Sequence, residues 1–498
     1  MTTRPYRPVL MLAFFLTAAI CSLQSCMKDE EFTTSFSAGI EFEKDTIRFD
    51  TVFTTIGSST KRFKVFNRGD KGVRLTSVLL ESGGTSGFRI NVDGQTGTVV
   101  NDVEIPRKDS IFIFAEVTVN PQGSDTPQLL RDAIVFNFES GRQQRLVLEA
   151  WGQDIIIMKA EEITADRTLD SPRPYLIYDS LVVKEGATLT LAEGTTFCFH
   201  NEARLVVHGT LVAQGTQEKR ITLRGDRTDK MFSNLPYDWM DSQWGGVTLC
   251  PESSGNQLNF VDIHGGNYGI DCPLSTTDNQ KLLLTNSIIH NVMGNGLSMM
   301  GCKAQIMNSQ ITNAGEDCVH IVGGEYDFTH CSIVQLYPWS SDYGKALYFS
   351  NKYSEKKDDE QAFPLLGARF YNCLITAWEW EDDMIIGTQH SNKEVAFEYL
   401  FHHCLIDIKM TGKESEDVTS RFVNCVNESG MKGDDVIRGK KNFLEAVTYL
   451  YVFQLAEKSN ARGIGDAAYS ASLPYDLDGT ERPTENPDAG CYQYKKAE

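Results

Sequence analysis

Four polar residues, Asp271, Ser298, His320 and Tyr348, each directly follow an aliphatic one, Ile270, Leu297, Val319 and Leu347. If those aliphatics point inward from strands of period two, the polar four share one outward row, with Asp317 and Asp383 beside it. A carboxylate, an imidazole and a phenol within one or two strand spacings are the groups that general acid and base chemistry needs. The plainer reading is that outward positions on any solvated strand are polar. A second cluster, Trp378-Glu379-Trp380-Glu381-Asp382-Asp383, combines two indoles with four carboxylates. Exposed indoles give sugars a flat apolar face, while carboxylates accept from hydroxyls. Alternation sends Trp378 and Trp380 to one side, so both are core, the plainer reading, or both are platform.

These groups depend for their positions on a recurrence in which Asn or His precedes Ser or Cys and then a β-branched strand. It begins at Asn286, Asn308, His330, Asn372, His403 and Asn424, in steps of 22, 22, 42, 31 and 21 residues. A period of this size with β-rich contents signals a solenoid whose turns bury their apolar sides only by stacking. The longer steps mark coils with insertions. An Asn at the corner can bond its like one coil away, so His330 and His403 read as corner substitutes rather than ligands. Cys331, Cys373, Cys404 and Cys425 share the next position and read as a buried thiol ladder. CxxC pairs and zinc-spaced Cys/His clusters are absent from the sequence.

Upstream, Val182–Leu191, Gly194–Phe199, Leu205–Thr216 and Ile221–Leu223 are short strands ended by Gly and Thr, and Trp244-Gly245-Gly246-Val247 reads as the next corner. This text resembles right-handed parallel β-helix proteins of the pectin-lyase-like type, from about residue 175 onward. Gly315-Glu316-Asp317-Cys318-Val319-His320-Ile321 resembles the paired-carboxylate motif of polygalacturonase-like glycoside hydrolases, which implies acid and base roles near Asp317. The upstream acidic motif and the downstream Gly-His-Gly and basic motifs of that family are missing, and Lys345 and Arg369 are the nearest candidates for a lyase base. The ending Tyr475–Pro483 with Pro487–Tyr492 resembles the segment that caps the last coil in secreted β-helix proteins. Glu445–Lys458 before it looks helical. Asp476-Leu477-Asp478-Gly479 looks like a calcium loop but lacks the distal bidentate Glu, which favours turn chemistry.

Between Ile40 and Asp154, apolar residues alternate in pairs such as Phe63/Val65, Ile111/Ile113 and Leu146/Leu148, the pattern of a two-sheet sandwich. The stretch Phe63–Asn67, with Asp109–Ile111 and Val117–Pro121, resembles Ig-like modules of bacterial surface proteins. At the front, Arg4 and Arg7 precede the apolar run Val9–Ile20, the layout of a secretory signal. Leu23-Gln24-Ser25-Cys26 then resembles a bacterial lipobox, which implies lipidation at Cys26, and Lys28-Asp29-Glu30-Glu31 resembles the export signal of surface-exposed lipoproteins in some Gram-negative bacteria.

The expected chain is all-β: signal peptide 1–25, tether 26–39, Ig-like sandwich 40–154, right-handed parallel β-helix 155–444 and capping segment 445–498. A net charge of -20 argues against nucleic acid and makes an acidic polysaccharide an unfavoured ligand. The expected function is a glycan-binding or adhesive module on the outer membrane, held by lipid at Cys26. Its candidate catalytic pair is Asp317 and His320, and its candidate binding residues are Asp271, Ser298, Tyr348, Trp378, Trp380 and Asp383. No metal or other cofactor is expected, Ca²⁺ being the one cation weighed. The alternatives are a polysaccharide hydrolase or lyase of this fold, and a structural spacer.

Overall fold

A computed structural model describes residues 30–354, 360–409, 420–433, 435–444 and 452–496. The expected signal peptide, 1–25, and the expected lipidation site Cys26 lie outside the described residues. The chain divides into two compact units, one formed by residues 1–120 and 128–152 and the other by 121–127 and 153–498.

In the first unit a six-stranded sheet and a five-stranded sheet enclose a shared core that includes Val65, Ile113, Phe136 and Leu148. The alternation seen in sequence is the cause: in Lys61–Phe66, Phe63 and Val65 are buried while their neighbours face outward. Gly72–Leu80 pairs antiparallel with Gln128–Phe138 and Lys61–Phe66 with Ser110–Val117, while Phe32–Thr33 runs parallel to Gly72–Leu80.

The second unit is a parallel β-helix. Two interleaved ladders join as one 18-stranded sheet, and a third ladder has 10 strands. Each strand pairs in parallel with its counterpart one coil away, as when Leu284 pairs with Ile306, Ile306 with Phe328 and Phe328 with Phe370. Like side chains therefore pile up in the interior, where Phe328, Phe370 and Phe401 stack at centroid distances of 4.8 and 4.6 Å. Those separations are close to the spacing of about 4.8 Å between neighbouring strands.

The corner column stands as the spacing requires. Asn286, Asn308, His330, Asn372, His403 and Asn424 all take left-handed backbone angles, φ 48° to 56°. Among residues with a Cβ, Asn tolerates this region best, and His is also enriched there. The side chains interlock: Asn308 Nδ2 donates to Asn286 Oδ1 at 2.7 Å, Asn372 Nδ2 to His330 Nε2 at 3.0 Å and Asn424 Nδ2 to His403 Nε2 at 2.8 Å. Burial pushes the His330 imidazole well below its usual pKa, so the ring is neutral and can accept.

One position later, Ser309 Oγ donates to Met307 O at 2.8 Å, and the Cys373 and Cys404 thiols donate to Tyr371 O and His402 O at 3.4 and 3.5 Å. Ser and Cys do the same job there, and the four thiols of the column are free.

The closing segment lies along the flank of the coils rather than over the last one. Leu477, Cys491 and Tyr492 pack on the outward faces of Val334, Leu374 and Leu405. Arg482 donates to Asn308 Oδ1, His330 Nδ1 to Gly490 O and His403 Nδ1 to Ile464 O. The physical reason is the corner column itself, which leaves polar atoms and outward aliphatics for a strap to cover. Of the stretch expected to be helical, residues 445–451 lie outside the described residues, whereas Val452–Lys458 is not helical, and Phe453 and Leu455 turn into the same flank. Asp476 is turn chemistry: its carboxylate accepts from the Asp478, Thr480 and Gln493 N–H groups.

Candidate functional site

The polar row exists. Thr248, Asp271, Ser298, His320, Tyr348 and Ile386 pair successively on one ladder, each beside a buried aliphatic. The His320 and Tyr348 rings stack with centroids 4.6 Å apart and planes 15° from parallel. Tyr348 Oη is 2.8 Å from Thr388 Oγ1, which fixes the phenol at the edge of the row. Burial pushes the Asp271 carboxyl up, against a Ser298 hydrogen bond and the influence of His320.

Asp317 comes from the turn before the strand Val319–Val322, and both its oxygens are engaged. Oδ2 lies 2.8 Å from His320 Nδ1, and Oδ1 accepts from Lys345 N at 2.7 Å. Its own N–H donates to Asn295 Oδ1 at 3.0 Å. A carboxylate held this way orients the imidazole, keeping the proton on Nδ1 and leaving Nε2 as the basic atom. Gly344 closes the arrangement from above, where a Cβ would stand 2.4 Å from the Glu316 carbonyl carbon and 2.6 Å from Asp317 Oδ1.

This dyad opens into a cleft of about 460 Å³ that Asn295, Glu316, Asp342 and Tyr343 also line. The Tyr343 ring is shared with a second cleft of about 450 Å³, lined by Tyr337, Trp339, Trp378, Trp380 and Glu381. Trp378 and Trp380 stack with centroids 4.7 Å apart and planes 10° from parallel. Trp380 is 64% exposed and Trp378 half-buried, so the pair is a platform anchored at one end. Lys440 Nζ lies 5.1 Å from the Trp378 ring centroid. Tyr343 Oη donates to Glu381 Oε1 at 3.1 Å, and burial together with that carboxylate raises the phenol pKa, so it stays neutral. Among the described residues neither lining contains Lys or Arg, while Glu316, Asp317, Asp342 and Glu381 bring four carboxylates.

Of the residues singled out from sequence, Asp317 and His320 meet in one cleft, and Trp378 and Trp380 in the other. Tyr348 backs the imidazole, whereas Asp271 and Ser298 stand further along the row and line neither cleft. Asp383 also lines neither: it takes φ 67° and its carboxylate accepts from Lys409 N at 3.1 Å. Arg369 is committed to Asp327 and Glu325 at 3.0 and 3.1 Å. Tyr337 and Trp339 were not singled out in the sequence. The signal was their aromatic density inside the 42-residue step between His330 and Asn372.

No family model matches the chain. Protein bark beetle of Drosophila melanogaster is 32% identical over 159 residues, and the chain spans about 4% of the length of that relative, against 32% of its own. Among solved structures, the catalytic domain of a GH87 α-1,3-glucanase in complex with tetrasaccharides is similar at 11% identity over 75% of this chain and 88% of that one, with a TM-score of 0.17. Dex49A from Penicillium minioluteum gives 9% identity over 78% and 73%, with a TM-score of 0.16. PapD-like domain 7 of human CEP192 gives 13% over 26% and 92%, with a TM-score of 0.17.

Proposed function

We propose that the paired clefts bind a neutral polysaccharide, and that the protein is a glycan-binding module of a bacterial surface. The stacked Trp378–Trp380 pair carries this reading. Two coplanar indoles, one of them largely exposed, form a preorganised apolar face of the kind on which a pyranose ring can stack. Tyr343 continues that face into a chamber of carboxylates and an imidazole, which suit sugar hydroxyls. The four carboxylates of the two linings, with the net charge of -20, outweigh Lys440 beside Trp378 and disfavour uronates.

The same reading takes the β-helix as right-handed and the first unit as an Ig-like spacer. It takes the leader as a lipoprotein signal that anchors the chain at the outer membrane through Cys26. Arg4, Arg7, the apolar run Val9–Ile20 and Leu23–Cys26 support the anchor.

A hydrolytic reading stands second, favoured by the Asp317–His320 dyad beside Glu316. There His320 Nε2 would act as base and Glu316 as acid. A lyase, which needs a cationic base beside a bound uronate, is less well served by this lining.

The test is a panel of neutral and acidic polysaccharides offered to the purified chain, scored for binding and for released reducing or unsaturated ends. Binding to a neutral glycan without products supports the module. Reducing ends that vanish in Asp317→Asn move the assignment to a hydrolase. Binding restricted to uronates contradicts both.

A further inference from the structure

We propose that Asp262, His264 and His290 form a binding site for a divalent first-row transition cation, of which Zn²⁺ fits the donors best. The three residues are placed by the parallel register alone. Asp262 and His264 are two apart on the strand Val261–His264, and His264 pairs with His290 in the next coil. Their rings stack at 4.8 Å, with His290 held by the edge of Trp239 at 4.9 Å.

The donor atoms converge. Asp262 Oδ1 lies 2.8 Å from His264 Nδ1 and 3.4 Å from His290 Nε2, and one ligand atom from each residue falls within 4.8 Å of the others. Metal bonds of about 2.0–2.2 Å at tetrahedral or octahedral angles set donor separations of about 3 Å, which these distances bracket. Two imidazoles and a carboxylate are the donor set that Zn²⁺ and its neighbours accept, unlike the all-oxygen cages of Ca²⁺ and Mg²⁺.

Two further observations point to an occupant. Asp262 and His290 face a cavity of about 230 Å³, which Gln310 and Asn313 also line. Asn313 is 3% exposed and its Oδ1 has no hydrogen-bond partner, an acceptor that a metal-bound water would satisfy. On the opposite side His264 Nε2, also buried without a hydrogen bond, faces Asp238 Oδ2 at 3.5 Å. Asp238 is itself ion-paired to Arg224. A carboxylate behind the remote nitrogen is the outer support that metal-binding histidines usually have. The competing state is an imidazolium: burial lowers the His264 pKa, but Asp262 and Asp238 outweigh it and raise it to about 9. A cation would displace that proton.

The full chain, stripped with a chelator and dialysed, is titrated with ZnCl2 by calorimetry, alongside His290→Ala and the near-isosteric Asp262→Asn. Far-UV circular dichroism identifies which variants are folded. The proposal expects one equivalent bound by wild type, a melting temperature that rises with Zn²⁺, and affinity at least about 100-fold weaker in a folded variant. Asp238→Asn should weaken it by about 10- to 100-fold. Folded wild type that takes up no Zn²⁺ overturns the site, as does binding that a folded variant retains in full, which would place the ion elsewhere.

Discussion

Asn308 Nδ2 donates to Asn286 Oδ1 across one coil at 2.7 Å, while both residues hold left-handed backbone angles of 48° and 50°. The corner thus selects its residue twice, for a backbone region that a Cβ disfavours and for an amide that can bond its like. Arg482, donating to Asn308 Oδ1, ties the closing strap to the same atom group. Asn308→Ala should cost about 2–4 kcal/mol, from about 1 kcal/mol of backbone strain plus the lost buried hydrogen bonds. Asn308→Gly should cost about 1 kcal/mol less. Urea denaturation of the three proteins measures the difference; equal costs for Ala and Gly would remove the backbone part of the argument.

His330 takes the same corner, with Nδ1 on Gly490 O and Nε2 accepting from Asn372. Replacement by Asn should therefore be less damaging than replacement by Ala, by roughly 1 kcal/mol or more, because Asn keeps both the backbone preference and an amide for the ladder. Thermal or chemical melts rank the two variants; a His330→Asn protein as unstable as His330→Ala would mean that the imidazole does something a corner amide cannot.

Gly344 lies where a Cβ would meet Glu316 backbone at 2.4 Å. That neighbour cannot swing away as a flexible side chain would, so Gly344→Ala should destabilise by about 1–3 kcal/mol. It should also loosen the Asp317–His320 contact, because Lys345 N, which holds Asp317, is the next donor along the chain. Chemical denaturation reads the first effect, and the ring-nitrogen chemical shifts of His320, which report whether Nδ1 keeps its proton toward Asp317, read the second.

Burial raises the Asp407 carboxyl to about 6, against the Asp383 N–H and Arg438. Unfolded, it would titrate near ~3.9. Between those values the folded chain keeps a proton that the unfolded chain has released, so its contribution is intact below about pH 4 and is lost as the pH rises through about 6. Two pKa units set an upper bound of about 3 kcal/mol. Asp407→Asn should accordingly stabilise by about 1–3 kcal/mol at pH 7.5 and by little at pH 4. Denaturation at both pH values decides, and a gain independent of pH would contradict the assignment.

The row from Asp271 to Tyr348 could be read in the sequence because a parallel ladder keeps one residue per coil in column, so alignment on the corner Asn aligns everything between corners. The clefts could not be read that way. Their walls, Tyr337, Trp339 and Tyr343, belong to the long step after His330, where the period no longer constrains the path. Asp383 stands beside the row but outside both clefts, at the turn before Ile385–Thr388, as Asp317 stands before Val319–Val322. Val452–Lys458, the described part of a stretch that reads as helix by composition, has Phe453 and Leu455 two residues apart and both on the flank, the spacing of an extended segment. The Asp262–His264–His290 group leaves only a faint trace in the sequence, Asp and His two apart ahead of the first corner Asn, with a further His 26 residues on.

If the stacked indoles receive a sugar, calorimetric titration of the neutral oligosaccharide selected by the panel must distinguish wild type from Trp380→Ala. Trp380 is largely exposed, so the variant should fold and melt as wild type does. Trp380→Ala should lose about 2 kcal/mol, roughly 30-fold in affinity, as for an aromatic anchor at the centre of a contact. Affinity unchanged in a folded Trp380→Ala protein would contradict it.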